Sequence, residues 1–390
     1  MSELRSGDVT LSTADIGIST KAPSYGVTVS NQGAINITAM YAGIRILSEN
    51  VASFPKSIKK STSRGLVDAP EHPAYSVINL RPNSYTNVFD FWNVITTWLN
   101  GWGNAYAIIE WDNGNPVALH QVHPQSVRIA LVNGRKYYQV TMMDPRLSYL
   151  NRMYSDYEML HFMLVTIDGI KGENPIIRNA MALSKNVATE KFASEFYEKG
   201  GNIKAVMETE GHLGDDDYLA FMKHFKLGSA NFDTPLLEYG IKYKQLSVNP
   251  VAAQLIQSET LSLQDVCRIL NIPPHMIAEL SHATYSNIEH QTIQFVQYTM
   301  RPMVKRLEVE LESKLFLGDD AKLYNVKFNL DGLLRGDTQA RSQYYHNAIL
   351  DGYMSRNEVR ELEGLPHKDG LDDFLYPLNT GVVGKENEPE

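Results

Sequence analysis

The chain has little of what marks secretion, membrane residence or catalysis. It holds one cysteine, Cys267, in 390 residues, so no intramolecular disulfide can form. No basic-plus-apolar leader follows Met1, and the expectation is a reducing cytoplasm, where the sequon at Asn36-Ile37-Thr38 carries no weight. No uninterrupted apolar run approaches the ~20 residues needed to cross a bilayer. The absence of Gly-x-x-x-x-Gly-Lys-Ser/Thr argues against a P-loop ATPase, and the absence of Gly-x-Ser-x-Gly against an α/β-hydrolase. Gly101-Trp102-Gly103 opens like a dinucleotide fingerprint but lacks the third small residue and precedes a strand pattern. Cations are also scarce: 36 Lys and Arg stand against 45 Asp and Glu, a net charge of -9. A protein that grips nucleic acid tightly clusters its cations, so that class is disfavoured. No internal repeat is visible.

What is present is an α+β pattern, long enough for two or three compact regions at roughly 150 residues per domain. Residues 1–33 are rich in Ser, Thr and Gly and read as a flexible arm. Ala39, Ile44, Leu47 and Val51 predict a helix from Ile35 to Phe54, stopped by Pro55. Phe91, Trp92, Ile95 and Trp98 predict another from Val88 to Leu99, ending at Gly101. The period then becomes two. Apolar runs ending at Asn113-Gly114 and Asn133-Gly134 predict hairpins with type I′ turns, and Glu158 to Phe162 a further strand.

A long helix is expected from the N-cap Asn174 and Pro175 to Gly200-Gly201, about 40 Å in length. Its Ile177, Met181, Ala188, Phe192 and Phe196 share one face, and by pattern alone it is a surface helix packed on a core. Residues 201–247 differ in composition, with strand-like stretches at Ile203–Met207 and Leu236–Tyr239 and an acidic helix start at Asp215-Asp216-Asp217. Leu255, Leu263, Val266 and Leu270 mark a helix that Pro273-Pro274 ends. Ser286 and Glu289 form a capping box for a long helix carrying Val296, Met300, Val304, Leu307, Leu311 and Leu315, with a kink expected at Pro302. Asp337 caps a helix that stops at Gly352. Ser355 and Glu358 form a second capping box, and residues after Pro377 read as a flexible tail.

The candidate chemical groups all have plainer readings. His120 and His123 fall on opposite strand faces with no completing ligands, so neither a metal nor a cofactor is expected. Asp215 to Asp217 lack the glycine and distal Glu of a calcium loop and suit a helix N-terminus. Arg335-Gly336-Asp337 suits a turn and N-cap. Cys267 suits a packed thiol. Binding, assembly and mechanics remain.

Five segments together resemble one family. Gly103-Asn104-Ala105-Tyr106-Ala107, Asp168-Gly169-Ile170-Lys171-Gly172-Glu173-Asn174-Pro175, Asn271-Ile272-Pro273-Pro274-His275-Met276-Ile277, Ala283-Thr284-Tyr285-Ser286-Asn287-Ile288-Glu289 and Arg356-Asn357-Glu358-Val359-Arg360 occur in the order found in portal proteins of tailed bacteriophages, the HK97 family. The Arg81-Pro82-Asn83 turn fits as well. The likeness runs from about Ile35 to Leu371. It implies a non-enzymatic subunit of a closed ring, typically of twelve, at one capsid vertex, conducting double-stranded DNA without sequence readout. An acidic channel wall would let the polyanion slide. Implied partners are the terminase large subunit, the major capsid protein and a head-tail adaptor, with no membrane. The implied location is the virion, after assembly in the host cytoplasm.

The resemblance also implies a layout: a wing at 34–174, stem helices at 175–200 and 248–271 around a clip at 201–247, a tunnel loop at 272–286, a kinked helix and wing strand at 287–330, and a short crown at 331–376. His275, His282, Thr284 and Tyr285 would then meet DNA in the tunnel, although an ordinary interhelix loop fits the same residues. Lys185, Lys191 and Lys199 are candidates for the lumen, as is Lys204, with their rotation about the stem axis open. Asp215, Asp216 and Asp217 would dock the terminase or adaptor. A nuclease or ATPase acting on DNA, and a monomeric adaptor, are the competing classes.

Overall fold

The computed structural model describes residues 30–35, 37–63, 65–198, 205–208, 214, 218–220, 223, 242–245, 263–277, 291–334 and 338–375. Helix α1 (Asn31–Ile35) takes in three residues expected to belong to the arm, and Ala34 is wholly buried. Helix α2 (Thr38–Ser53) buries Met40, Ile44, Leu47 and Val51, steps of four, three and four that keep one face inward. Its end is closed by Lys56, whose Nζ donates to Ala52 O and Phe54 O at 2.9 and 2.8 Å; burial lowers this ammonium to about 8. Helix α3 (Pro73–Tyr75) continues as a π turn over Ser76–Leu80.

Helix α4 (Val88–Trp102) packs on α2, with Asn87 accepting from Asp90 N at 2.8 Å as its N-cap. The expected stop at Gly101 is wrong by two residues. Gly101 is buried inside the helix, and Gly103, at φ 75°, makes the left-handed C-terminal turn.

Eleven strands are seen among the described residues. Strands β3 (Asn104–Asp112), β4 (Asn115–Val122) and β8 (Met159–Met163) form one antiparallel sheet in the order β4-β3-β8. Strands β5 (Val127–Val132), β6 (Arg135–Val140) and β7 (Met153–Ser155) form a second. Both Asn-Gly turns have positive φ at both residues, 50° and 83° at Asn113-Gly114 and 51° and 75° at Asn133-Gly134, as type I′ requires. β3 is buried on both faces. Ala105, Ala107 and Ile109 enter the main helical core, while Tyr106 and Ile108 enter a second core with Val122, Tyr138, Val140 and Tyr154.

A third sheet joins distant parts of the chain. β1 (Lys56–Thr62) lies between β2 (Gly65–Asp68) and β11 (Tyr324–Phe328), with Lys56 opposite Phe328 and Lys60 opposite Tyr324. The helix Arg301–Leu315 packs on both β8 and β11 and thereby ties residues 301–328 to the N-terminal body. All six apolar positions expected on its inner face, from Val296 to Leu315, are buried. The kink expected at Pro302 takes a specific form. Residues 291–295 are α-helical, Val296–Met300 form a π turn, and α geometry resumes at Arg301.

The long helix after Asn174 is not continuous. α5 (Pro175–Arg178) ends at Asn179, with φ −106° and ψ 19°, and α6 (Ala180–Glu198) follows. Asn179 Nδ2 donates to Pro175 O at 2.8 Å, a side chain competing for a helical carbonyl. The face expected to pack is also different: Ile176, Leu183, Ser184 and Asn186 are buried, whereas Ile177 and Met181 are 53% and 52% exposed. Further on, β9 (Ala205–Glu208) pairs with β10 (Lys242–Gln245). The strand expected at residues 236–239 lies outside the described residues, as do the arm before residue 30, the Ser286–Glu289 cap, Asp337 and the tail.

Candidate functional site

Two of the motifs that carried the resemblance, 103–107 and 168–175, meet at the start of α5. At Gly103, a Cβ would fall 1.9 Å from Glu173 O, and at Gly172 it would fall 2.1 Å from Gly103 O, so the two chain segments touch backbone to backbone. Asn104 locks that contact. Its Nδ2 donates to Gly172 O and its Oδ1 accepts from Gly172 N, both at 2.7 Å, as a backbone pair would. Asp168 Oδ1 accepts from Ile170 N and Lys171 N at 2.8 and 3.0 Å to fold the intervening turn, which lowers its carboxyl pKa. Asn174 then accepts from Ile176 N and Ile177 N and donates to Asn31 Oδ1 at 3.2 Å, while Asn31 Nδ2 reaches Gly101 O. These eight hydrogen bonds fix where the helix leaves the body.

From Asn104 a buried polar chain crosses the second core. His161 Nε2 meets Asn104 Oδ1 at 2.9 Å, and His161 Nδ1 meets Tyr138 OH at 3.2 Å. Asn104 Oδ1 is an acceptor, so Nε2 carries the imidazole proton and Nδ1 accepts from the phenol. Burial, reinforced by Lys136, Lys314 and Lys171, holds His161 well below its ordinary pKa and therefore neutral. Tyr106 stacks on it at 4.4 Å between centroids. Sequence reading assigned His161 only to a strand, because its partners lie 57 and 23 residues away.

The second junction closes the helix 263–270. Asn271 is left-handed at φ 55°, and Ile272 N donates to Cys267 O at 3.0 Å, the hydrogen bond of a Schellman end. Ile272 and Leu270 then pack where Gly43 leaves space on α2; a Cβ there would lie 2.7 and 2.4 Å from their methyls. Asn271 Nδ2 donates to Tyr298 O and Thr299 Oγ1, each at 3.1 Å, and Thr299 Oγ1 donates back to Asn271 O. Cys267 is buried in the main core.

His275 sits on a 3-10 turn, Pro274–Ile277, half-buried, with Nδ1 2.6 Å from Gln291 Oε1. Residues 272–277 are folded against the body, with Ile272 and Ile277 buried in the main core. His282, Thr284 and Tyr285 lie outside the described residues, as do Lys199, Lys204 and Asp215 to Asp217. Lys185 and Lys191 are exposed on α6. At the C-terminal end, the Ser355–Glu358 capping box forms with both arms, at 3.1 and 2.7 Å. The neighbouring Asn357 Nδ2 donates to Lys368 O and Asp372 Oδ1 at 2.7 and 3.0 Å.

Among the described residues no group of three or more His, Cys, Asp or Glu is placed to hold a metal ion, and no helix is long and apolar enough to cross a membrane.

Residues 38–364 match the family described as phage portal protein. The chain is 28% identical over 380 residues to a probable portal protein of Streptomyces phage phiC31, covering 93% of this chain and 82% of that one. Its fold is similar to a chain in the neck of a native gene transfer agent particle computed with C12 symmetry, with a TM-score of 0.59 at 18% identity over 85% of this chain and 91% of that one. It is also similar to an HK97 family phage portal protein from Corynebacterium diphtheriae, with a TM-score of 0.57 at 15% identity over 80% and 99%. The α+β fold expected from the sequence is the fold of these proteins, and the chain belongs to the phage portal protein family.

Proposed function

We propose that the chain is one subunit of a closed twelve-fold ring at a single capsid vertex, through which double-stranded DNA enters during packaging and leaves on ejection. The observation that carries this reading is the face of α5 and α6. Ile177 and Met181 are about half exposed, with Val165 and Ile167 exposed at 57% and 70% in the loop just before, while the opposite face of the same helices is buried. A helix apolar on both faces suits a ring, in which each subunit covers its neighbour.

On this reading 34–174 form the wing, 175–200 and 248–271 the stem, 201–247 the clip, 272–286 the tunnel loop, 287–330 a kinked helix and wing strand, and 331–376 the crown. The ring acts without chemistry of its own. It orients the terminase that hydrolyses ATP, contacts the major capsid protein and later receives the head-tail adaptor. His275, His282, Thr284 and Tyr285 touch the DNA backbone, since a moving duplex presents every sequence in turn. Lys185, Lys191 and Lys199 are the lumen candidates of the stem, and Asp215 to Asp217 belong to the docking face.

The test separates assembly from passage. Removing residues 279–284 should leave the oligomer intact while lowering the yield of packaged DNA in a reconstituted reaction. Loss of the oligomer, or unchanged packaging, would reject the tunnel role. Charge reversal at Asp215 to Asp217 should weaken terminase or adaptor binding without dissolving the ring.

A further inference from the structure

The helix Arg301–Leu315 closes the free edges of two sheets with carboxylates, and one edge is left partly open. On the β11 side Glu312 accepts from Val326 N at 3.1 Å and Glu308 from Phe328 N at 3.0 Å. Two carboxylates about one helical turn apart thus serve two outward N–H groups spaced two residues along the strand. On the β8 side Glu310 accepts from His161 N at 2.8 Å. The ladder to β3 uses the alternate residues, as Leu164 N to Gly103 O at 3.0 Å shows, so the next outward N–H is that of Met163. The helix position that corresponds to Glu308 on this side is Arg306. A cation stands where the other row has a carboxylate, and no described residue accepts from the Met163 N–H.

This opening lies in a groove made of two adjoining clefts of about 780 and 480 Å³, which share His161, Met163 and Glu310. Pro302, Phe162 and Val309 supply apolar walls, and Arg135, Lys136, Lys305, Arg306 and Lys314 line the groove. Its acidic members are already engaged: Glu310 by the His161 N–H, and Asp156 by Lys314. Lys314 and Lys305 are ion-paired in turn, the latter to Glu308, which leaves Arg135, Lys136 and Arg306 without an ion pair among the described residues, a local excess of positive charge beside the Met163 N–H in a chain of net charge -9.

We propose that an extended acidic segment of another protein docks in this groove, pairing its backbone with that of Met163 at the end of β8 and placing a carboxylate against Arg306. Main-chain pairing would supply the register and the Arg306 guanidinium the preference for acid. The inference does not depend on the ring assignment.

The test uses the full chain and a fluorescein-labelled peptide of alternating Glu and Val, read by anisotropy and by amide hydrogen exchange at Met163. The expected result is saturable binding that slows exchange at Met163. Arg306→Glu, which supplies the missing internal carboxylate, should weaken binding about tenfold or more without lowering the unfolding temperature. The same peptide N-methylated at every residue, equally charged but without backbone donors, should bind far less. Absence of binding, equal binding of the N-methylated peptide, indifference to Arg306→Glu, or stronger binding of a duplex oligonucleotide would overturn the proposal. So would a change in oligomeric state in Arg306→Glu, which would give the groove to a second copy of this chain.

Discussion

Asn271 donates its side-chain amide to the carbonyl oxygen of Tyr298 at 3.1 Å, and Tyr298 lies four residues before Pro302, which has no N–H to offer it. One residue thus ends the helix 263–270 through its own left-handed backbone and completes the helix 291–315 through its side chain. The π turn at Val296–Met300, where Arg301 N donates to Val296 O, takes up the misfit just ahead of the proline.

The two roles of Asn271 separate by mutation. Asn271→Gly keeps the positive φ and loses the clasp, and should cost about 1 kcal/mol. Asn271→Ala loses both and should cost about 2–3 kcal/mol. Denaturant unfolding of the two variants checks the order; equal costs would remove the conformational part of the account.

At the contact of Gly103 with Gly172, either substitution to Ala drives a Cβ into backbone oxygen, at 1.9 or 2.1 Å. Each variant should lose more than about 3 kcal/mol, as expected where backbone rather than a flexible side chain must move. Gly114→Ala, at similar φ but in open space, should cost only about 1 kcal/mol. Thermal unfolding of the three variants tests the contrast.

His161 is held neutral in the folded chain, so below its unfolded pKa of about 6.5 the unfolded chain binds more protons and stability falls as pH falls. His161→Gln, which can keep a donor and an acceptor, should flatten the dependence between pH 6.5 and 5 by up to ~1.4 kcal/mol per pH unit. Glu310, raised by burial, acts in the opposite sense, losing stability as pH rises from its unfolded value toward its folded one. Identical slopes in wild type and variant would contradict the neutral assignment.

Glu308 is 6% exposed and serves Phe328 N, Lys305 and Lys327 at once. Glu308→Ala strands a strand-edge N–H and should cost about 2–3 kcal/mol, with faster amide exchange at Phe328 than at Val326, which keeps Glu312. Uniform acceleration along β11 would mean the whole sheet had loosened instead.

Much of this architecture was legible in short windows. The Asn174-Pro175 start, the Ser355–Glu358 capping box, both Asn-Gly turns and the inner face from Val296 to Leu315 depend on neighbours within one or two turns of chain. The third sheet was hidden for the opposite reason. β1 reads Lys-Ser-Ile-Lys-Lys-Ser-Thr and pairs with a strand about 270 residues away, so local periodicity held no trace of it. The end of α4 was misplaced because Gly101 and Gly103 are equivalent stops in sequence, and only the approach of Glu173 decides between them. The break at Asn179 and the exposed Ile177 and Met181 were missed because a helical stripe does not say which of its apolar flanks meets the same chain. The contacts of Asn104 and Asn271 supply the physical reason for two of the family segments.

The central claim is that the exposed face of α5 and α6 belongs to a ring. Native mass spectrometry with negative-stain imaging of the purified chain tests it most directly, alongside the double variant Ile177→Asp, Met181→Asp. The account predicts a twelve-subunit ring with a central hole for the wild type, and smaller species for a folded double variant. A wild-type chain that stays monomeric or dimeric at high concentration, or a variant that assembles equally well, would contradict it.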